Sequence, residues 1–463
     1  MNILKKYIGT REFYLRVFAL AIPIMVQNGI TNFVSMLDNI MVGRVGTLEM
    51  TGVAVANQLF FVFFLCVFGT VSGAGIFVAQ FHGNGDTEGI RRTFRFKLIS
   101  SFLISAIGIG IFLLFGRDLI SMYLRGSGEN NPADVAAALE FAWQYLLIML
   151  VGLLPYAIVQ CYSSTLRETG RPLLPMVAGV IAVITNLVLN TVLIFGKLGA
   201  PRLGTNGAAI ATVISRFVEL LIVSVWTYMK RRDNPFIVGA LKSLRVPLSL
   251  VRDITIKGMP LMLNETLWSA GIAMLSQCYS ERGMAVVSAN TICQTFSNVF
   301  STAFMAVGTA IGIILGQMLG ADRKDEARDS ARKLITFSVM VSVIVSALFF
   351  VASAYIPLMY NTSDEIRMTA HRMMQICAVA MPLDAFANAA YFTLRSGGKT
   401  LITILFDSCF VWVVSVPTAY FLSRYTAVSI FVIYAICQGE NFIKDVFGFI
   451  LVKRGIWVKN IVK

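Results

Sequence analysis

Apolar stretches of about twenty residues recur along this chain from end to end, and nothing else in it constrains the fold as tightly. A stretch of that length crosses roughly 30 Å of hydrocarbon as a helix. In lipid every backbone N–H and C=O must be satisfied within the protein, so only helices and closed barrels span. A barrel would show segments of about ten residues with alternating polarity, whereas here the runs are continuous. Twelve spans are predicted, at 16–38, 53–81, 97–116, 141–164, 173–195, 207–229, 254–279, 288–319, 334–355, 373–394, 400–422 and 427–450. Of the 463 residues, 57% are hydrophobic and 14% charged; a soluble chain carries roughly 25% charged residues. The first span follows a basic stretch (Lys5, Lys6, Arg11, Arg16). It lacks the short apolar core and small-residue cleavage site of a secretory signal, so an uncleaved helix is expected.

The net charge of +14 would suggest nucleic acid in a soluble protein. Here the positive-inside rule explains it without nucleic acid. Most Lys and Arg fall on the side that holds both termini, and the segment 229–258 alone contains Lys230, Arg231, Arg232, Lys242, Arg245, Arg252 and Lys257. Both termini are therefore expected in the cytoplasm. All seven cysteines lie within or at the edges of spans, with no CxxC pair, and read as small buried hydrophobes. No disulfide and no cysteine metal site is expected. There is no phosphate-binding G-x-x-x-x-G-K-[ST] loop and no nucleophile motif. The two histidines, His82 and His371, fall at opposite membrane faces. The expectation is a protein that is not an enzyme and carries no resident cofactor.

The chain says nearly the same thing twice. Residues 165–174 read TLRETGRPLL and residues 393–402 read TLRSGGKTLI, following spans 4 and 10. QFHG at 80–83 returns as QMLG at 317–320, each leading into a charged segment. Pro23 has a counterpart in Pro260, and Pro155 in Pro382. An even number of helices per half keeps both halves in one orientation, so the repeats are parallel, related by an axis along the membrane normal. The predicted fold is an all-α integral membrane protein, with twelve transmembrane helices in two six-helix lobes. The N-terminal lobe is placed at 1–228, a cytoplasmic linker at 229–253 and the C-terminal lobe at 254–463.

An ionisable group within a span costs roughly 2.5–3.5 kcal/mol on insertion scales, so it marks a pathway or a local pair. Arg216 and Glu219, three apart, and Glu440 and Lys444, four apart, are spaced to pair on one helix face. Asp38, Glu265 and Asp384 have no cation within a turn. Glu265 and Asp384 each lie about 16 Å from the cytoplasmic end of their span, at about 1.5 Å per residue. That depth is where transporter sites sit. Asp407 lies nearer the cytoplasmic surface. A buried carboxylate can exchange a proton for a cation. Asn186 and Asn190 share a face of span 5; such a pair either joins helices or offers oxygens to a hard cation. The 21 Met and 34 Phe suit a cleft that repacks around varied shapes, as well as ordinary packing and lipid contact.

In order along the chain stand Pro23 with DNIMVG (38–43), GAGIFVAQFHGNGD leaving span 2, LRETGRP before span 5, the Asn186/Asn190 pair followed by GTNGAAIAT (204–212), a proline then an acid in span 7, and Asp384 ahead of LRSGGKT. With these the chain resembles the multidrug and toxic compound extrusion (MATE) family over essentially its whole length. The resemblance implies export of varied, often cationic, organic compounds by antiport against Na+ or H+, through alternating access of two lobes. It implies an N-lobe cation site made of Asp38, Asn186, Asn190, the Ala208 backbone oxygen and the Thr212 hydroxyl, able to hold Na+. Asn190 departs from members that carry Asp there, and a neutral ligand weakens cation binding or shifts the preferred ion. A straight count leaves Asp38 near the outer surface; the family reading needs a bent or long first helix. Glu265 and Asp384 would form a C-lobe cation or substrate site, although Glu265 sits about a turn off the sodium-coupled branch's position. The expected setting is a bacterial plasma membrane, the partners small-molecule drugs and the lipid bilayer. No signature of an obligate partner stands in the chain, and a monomer is expected. The competing transport function is a flippase or exporter of a lipid-linked or dedicated metabolite.

Overall fold

A computed structural model describes residues 7–126, 132–360 and 362–463; Lys5 and Lys6 of the basic stretch lie outside them. Among the described residues all regular structure is helical. The helices are α1 (Arg11–Gly43), α2 (Thr47–Gly83), α3 (Thr87–Gly126), α4 (Pro132–Glu168), α5 (Leu173–Phe195), α6 (Gly204–Met229), α7 (Leu248–Ser280), α8 (Met284–Gly320), α9 (Lys324–Ala352), α10 (Asp364–Ser396), α11 (Thr400–Tyr425), α12 (Ile430–Gly439) and α13 (Asn441–Arg454). Each predicted span falls on one of α1 to α11, and the twelfth is divided between α12 and α13.

Ten of these, α1 to α6 and α8 to α11, contain stretches long and apolar enough to cross a membrane. In α7, Arg252, Asp253, Lys257, Asn264 and Glu265 dilute the apolar run. The twelfth span has a one-residue irregularity at Glu440, between α12 and α13, across which the backbone stays helical, with Glu440 N donating to Ile436 O and Ile443 N to Glu440 O, each at 2.9 Å. α1 is longer than its predicted span, at 33 residues, or about 50 Å at 1.5 Å per residue. Its length carries Asp38 on a continuous helix well past Pro23. α11 widens at its centre through two π turns, Leu405–Cys409 and Val411–Ser415. Such turns recur at functional sites.

The duplication extends to backbone conformation. After α2, Gly85 has φ 74°; after α8, the matched position is Asp322 with φ 60°. Asp is among the few non-glycine residues that tolerate this left-handed conformation. The same hydrogen bonds close both turns: Asp86 N to Phe81 O in one, Arg323 N to Met318 O in the other, each 3.0 Å. The LRETG and LRSGG turns agree likewise, with Gly170 at φ 81° and Gly398 at φ 73°.

The chain forms two compact units, Val26–Val78 with Thr87–Thr255, and Met1–Met25 with Ala79–Asp86 and Ile256–Lys463. The boundary cuts α1 just after Pro23 and α2 just before the QFHG turn. In the second unit, Val17, Leu20 and Ile24 of α1 share one core with Ile311, Leu315, Leu319 and Leu334.

Within that unit the two repeat turns meet by backbone. A Cβ at Gly83 would lie 1.9 Å from Gln317 O, and one at Gly320 would lie 1.9 Å from Gln80 O. The Gln80 amide ties the end of α10 to the segment after α13, donating to Ser396 O (2.9 Å) and Lys459 O (3.2 Å) and accepting from Ile461 N (2.8 Å). Gly83→Ala and Gly320→Ala are each expected to lower stability by about 1–3 kcal/mol through forced backbone shifts. Gly85→Asn serves as the control: the position is open to a side chain, and Asn tolerates its φ. Thermal unfolding in detergent checks this. Equal losses in all three variants would show that the close approach is not what matters.

Candidate functional site

Three polar clusters lie within the helices. In the first unit, Asp38 of α1 meets α5 and α6. Asn190 Nδ2 donates to Asp38 Oδ1 at 2.6 Å and also lies 3.1 Å from Asn186 Oδ1. Asn186 in turn reaches the Thr212 hydroxyl at 3.2 Å, and that hydroxyl donates to Ala208 O at 3.0 Å. All five residues expected at the N-lobe site are thus joined in one hydrogen-bonded chain. The helical repeat is why. Asn186 and Asn190 are one turn apart on α5, Ala208 and Thr212 one turn apart on α6, and each pair presents a single face. Asn186 and Asn190 are 5% and 1% exposed, so their polar atoms depend on one another.

The amides have two useful orientations. With the Asn186 amide turned, its nitrogen lies 3.1 and 3.2 Å from the two Asp38 oxygens and its oxygen accepts from Thr212 at 3.2 Å. The Asn190 Oδ1 is buried with no hydrogen-bond partner. An orphaned amide oxygen beside a carboxylate, a hydroxyl and a backbone carbonyl is a donor set that fits a small hard cation such as Na+. One turn beyond Thr212, Arg216 pairs with Glu219 at 3.3 Å, as its spacing predicts, and stacks 5.0 Å over the Tyr156 ring. Arg216 and Tyr156 line a cavity of about 20 Å³ beside Thr212, room for a single water.

The second cluster, at the start of the same unit's α3, is a buried ion pair. Lys97 Nζ lies 2.7 Å from Glu168 Oε2 and 2.7 Å from Ser164 Oγ. The LRETG turn supplies this glutamate. The matched LRSGG turn has Ser396 in its place, so the pair belongs to one half only.

The third cluster spans α7, α10, α11 and α13 in the second unit. The expected pairing of Glu440 with Lys444 does not form: Lys444 Nζ instead bonds Asp407 Oδ1 at 2.5 Å. Glu440 and Lys444 stay in helical register, Lys444 N donating to Glu440 O at 3.5 Å, but the π turn on α11 brings Asp407 toward α13, where it takes the ammonium. Asn264 Nδ2 donates to the other Asp407 oxygen at 3.1 Å, and the Ser408 hydroxyl donates to Asn264 Oδ1 at 2.7 Å. Asp384 accepts from Asn441 Nδ2 at 2.8 Å. Glu265 accepts from the Tyr391 hydroxyl at 3.5 Å, two turns along α10 from Asp384. Glu265 and Asp384 therefore have separate partners. Asn264, Tyr391, Asn441 and Asp445 were not singled out from the sequence. The i, i+4 spacing of Asn441 and Asp445 was the available signal, and the intervening Lys444 obscured it by suggesting a local pair with Glu440.

Comparison with known proteins accords with this architecture. The MatE family profile matches residues 23–192 and 260–421, one segment in each half. The probable multidrug resistance protein YoeA of Bacillus subtilis is 25% identical, aligned over 88% of this chain and 87% of its own. The multidrug resistance protein MdtK of Proteus mirabilis is 25% identical over 91% of this chain and 89% of its own. Among solved structures, a MATE in complex with MaL6 superposes with a TM-score of 0.85 at 19% identity, covering 99% of both chains. An outward-facing multidrug resistance MATE family transporter gives 0.84 at 19% identity, over 98% of this chain and 99% of its own. With a profile match through both halves and the same fold from end to end, this chain is a multi-pass membrane protein that belongs to the MATE family of multidrug efflux transporters.

Proposed function

We propose that the protein is a secondary-active exporter of organic, often cationic, compounds, driven by inward movement of Na+ or H+. The observation that carries this reading is the Asp38 site. Its carboxylate is held by amide N–H groups when it has no positive partner. A cation or proton arriving at Asp38 removes the need for those donors and lets amide oxygens turn inward, as the orphaned Asn190 Oδ1 is already placed to do. Ion arrival thus changes what α5 and α6 bond to on α1, a helix shared between the two compact units. In this reading Asp38, Asn186, Asn190, Ala208 and Thr212 couple the ion, while Glu265 and Asp384 serve a cation or substrate in the C-lobe. In this reading the N-lobe is 1–228 and the C-lobe 254–463, joined by the basic linker 229–253. The protein works as a monomer in a bacterial plasma membrane with both termini cytoplasmic, where the basic linker also lies.

The test is efflux of a fluorescent organic cation from liposomes containing the purified protein, with the gradient switched between sodium alone and protons alone. Movement driven by one ion establishes coupled export and identifies that ion. If neither gradient moves any of several cationic dyes through folded protein, the reading fails, and lipid-linked or dedicated metabolites become the substrates to try.

A further inference from the structure

In the second unit α10 packs against both α9 and α12. On one side of α10, Met373, Met374, Cys377 and Met381 enter a core shared with Phe349 of α9 and with Ile433 and Cys437 of α12. Along another side runs a groove of about 360 Å³, lined chiefly by Ile376, Val379 and Leu383 of α10, Phe350 of α9, and Ala435 and Gly439 of α12. Ile376, Val379 and Leu383 recur at the spacing of one helix face, and Val379 is 70% exposed. Gly439 deepens the groove, because a Cβ there would meet no atom within 4 Å. The flanking helices also expose Leu348 and Val351 on α9 and Val432 and Ile436 on α12, a surface suited to hydrocarbon. None of Glu265, Asp384 and Asp407 lines the groove.

One charge stands at the end of this apolar strip. Arg372 is one turn before Ile376 on α10, and Phe431 is one turn before Ala435 on α12. The Arg372 guanidinium lies 5.2 Å over the Phe431 ring, so the two helices set a cation at one mouth of the groove. Gln375, which also lines the groove, puts an amide near that mouth. Arg372 directly precedes the predicted span 373–394, at the level of lipid headgroups. From there Ile376 to Leu383 covers about 10 Å of depth at about 1.5 Å per residue. No carboxylate among the described residues pairs with Arg372, whereas the nearby Arg367 is paired with Asp364. A guanidinium matches a phosphate in charge and in the geometry of its N–H groups. A cavity lined by apolar side chains stays dry, and in a bilayer an acyl chain is what can fill it. An organic cation, the class of compound proposed for export, is repelled by Arg372.

We propose that this groove is a phospholipid site. One acyl chain of an anionic phospholipid lies along α10 between α9 and α12, and Arg372 binds the phosphate. The lipid belongs to the leaflet at the start of α10. Its chain packs where α9, α10 and α12 leave a gap, so binding stabilises the folded protein. The site stands whether or not the protein exports organic cations.

The experiment titrates delipidated, full-length protein in detergent with dioleoylphosphatidylglycerol and, in parallel, with dioleoylglycerol, which has the same chains and no phosphate. Native mass spectrometry counts the molecules bound. The wild type should take up one phosphatidylglycerol in preference to dioleoylglycerol. Arg372→Gln should weaken phosphatidylglycerol binding about fivefold, the share of one basic residue at an anionic headgroup, and leave dioleoylglycerol unchanged. Gly439→Leu, which fills open space in the groove, should weaken both. Arg117→Gln, at an exposed arginine on α3, should change neither. Each of Arg372→Gln and Gly439→Leu carries the test if the other does not fold. The proposal falls if the wild type shows no preference for the phosphate, if either folded variant binds as the wild type does, or if Arg117→Gln weakens binding as much as Arg372→Gln. A doubled mass with no lipid retained would mean that a second copy covers the groove, and displacement of the lipid by cationic dyes would make it a substrate site. Either result overturns the assignment.

Discussion

Asp38→Asn is expected to abolish ion-driven accumulation while leaving the protein folded. Asp38 is the carboxylate of the five-residue cluster; its other members are two amides, a hydroxyl and a backbone carbonyl. Without it nothing there changes charge. Coupling between two ligands is worth about 1–3 kcal/mol, or about 5–150-fold in affinity, and that factor should vanish from gradient-driven dye export. Asn keeps the size of Asp, and removing a buried carboxylate relieves desolvation, so thermal unfolding in detergent should move little. Transport at the wild-type rate would place the coupling elsewhere. Asn190→Asp makes the complementary case: it adds a charge beside Asp38 and should tighten cation binding.

Lys97→Met should be the most destabilising single change at an ion pair. The Lys97 side chain is wholly buried, and its ammonium reaches Glu168, Ser164 and Thr165. Glu168 is itself wedged against α2, where a Cβ at Gly75 would lie 2.0 Å from its Oε1. The carboxylate cannot swing out to water when its cation goes. Removing one partner of a buried pair costs about 3–5 kcal/mol. Adding Glu168→Gln to Lys97→Met should recover much of that loss, because a neutral amide tolerates the site. Chemical or thermal unfolding of the two variants in detergent decides it. If the double variant is as unstable as the single, packing at Lys97 rather than charge is responsible.

Much of the architecture was legible because lipid makes local sequence decisive. A span must satisfy its own backbone, so apolar length alone located α1 to α6 and α8 to α11, and Leu173–Phe195 coincides with its predicted bounds. The duplication was legible because its turns need special backbone: Gly170 and Gly398 both stand at positive φ. The N-lobe cluster was found through the i, i+4 rule on α5 and α6 together with the family resemblance. The pairing of Glu440 with Lys444 was misread because spacing describes one helix alone, and Asp407 on a neighbouring helix takes the lysine.

The sequence by itself determined the membrane class, the helical state, the repeat and the residue types able to hold a charge in lipid. Helix contacts between distant segments were left to the tertiary structure. Asp407 and Lys444 are 37 positions apart, Asp384 and Asn441 57, and Asp38 and Asn190 152. No local pattern encodes those pairings. A buried charge takes whichever partner the packed helices bring within about 3 Å. Packing also decided which oxygens, those of Asn190, Asn388 and Asp445, are left without a donor.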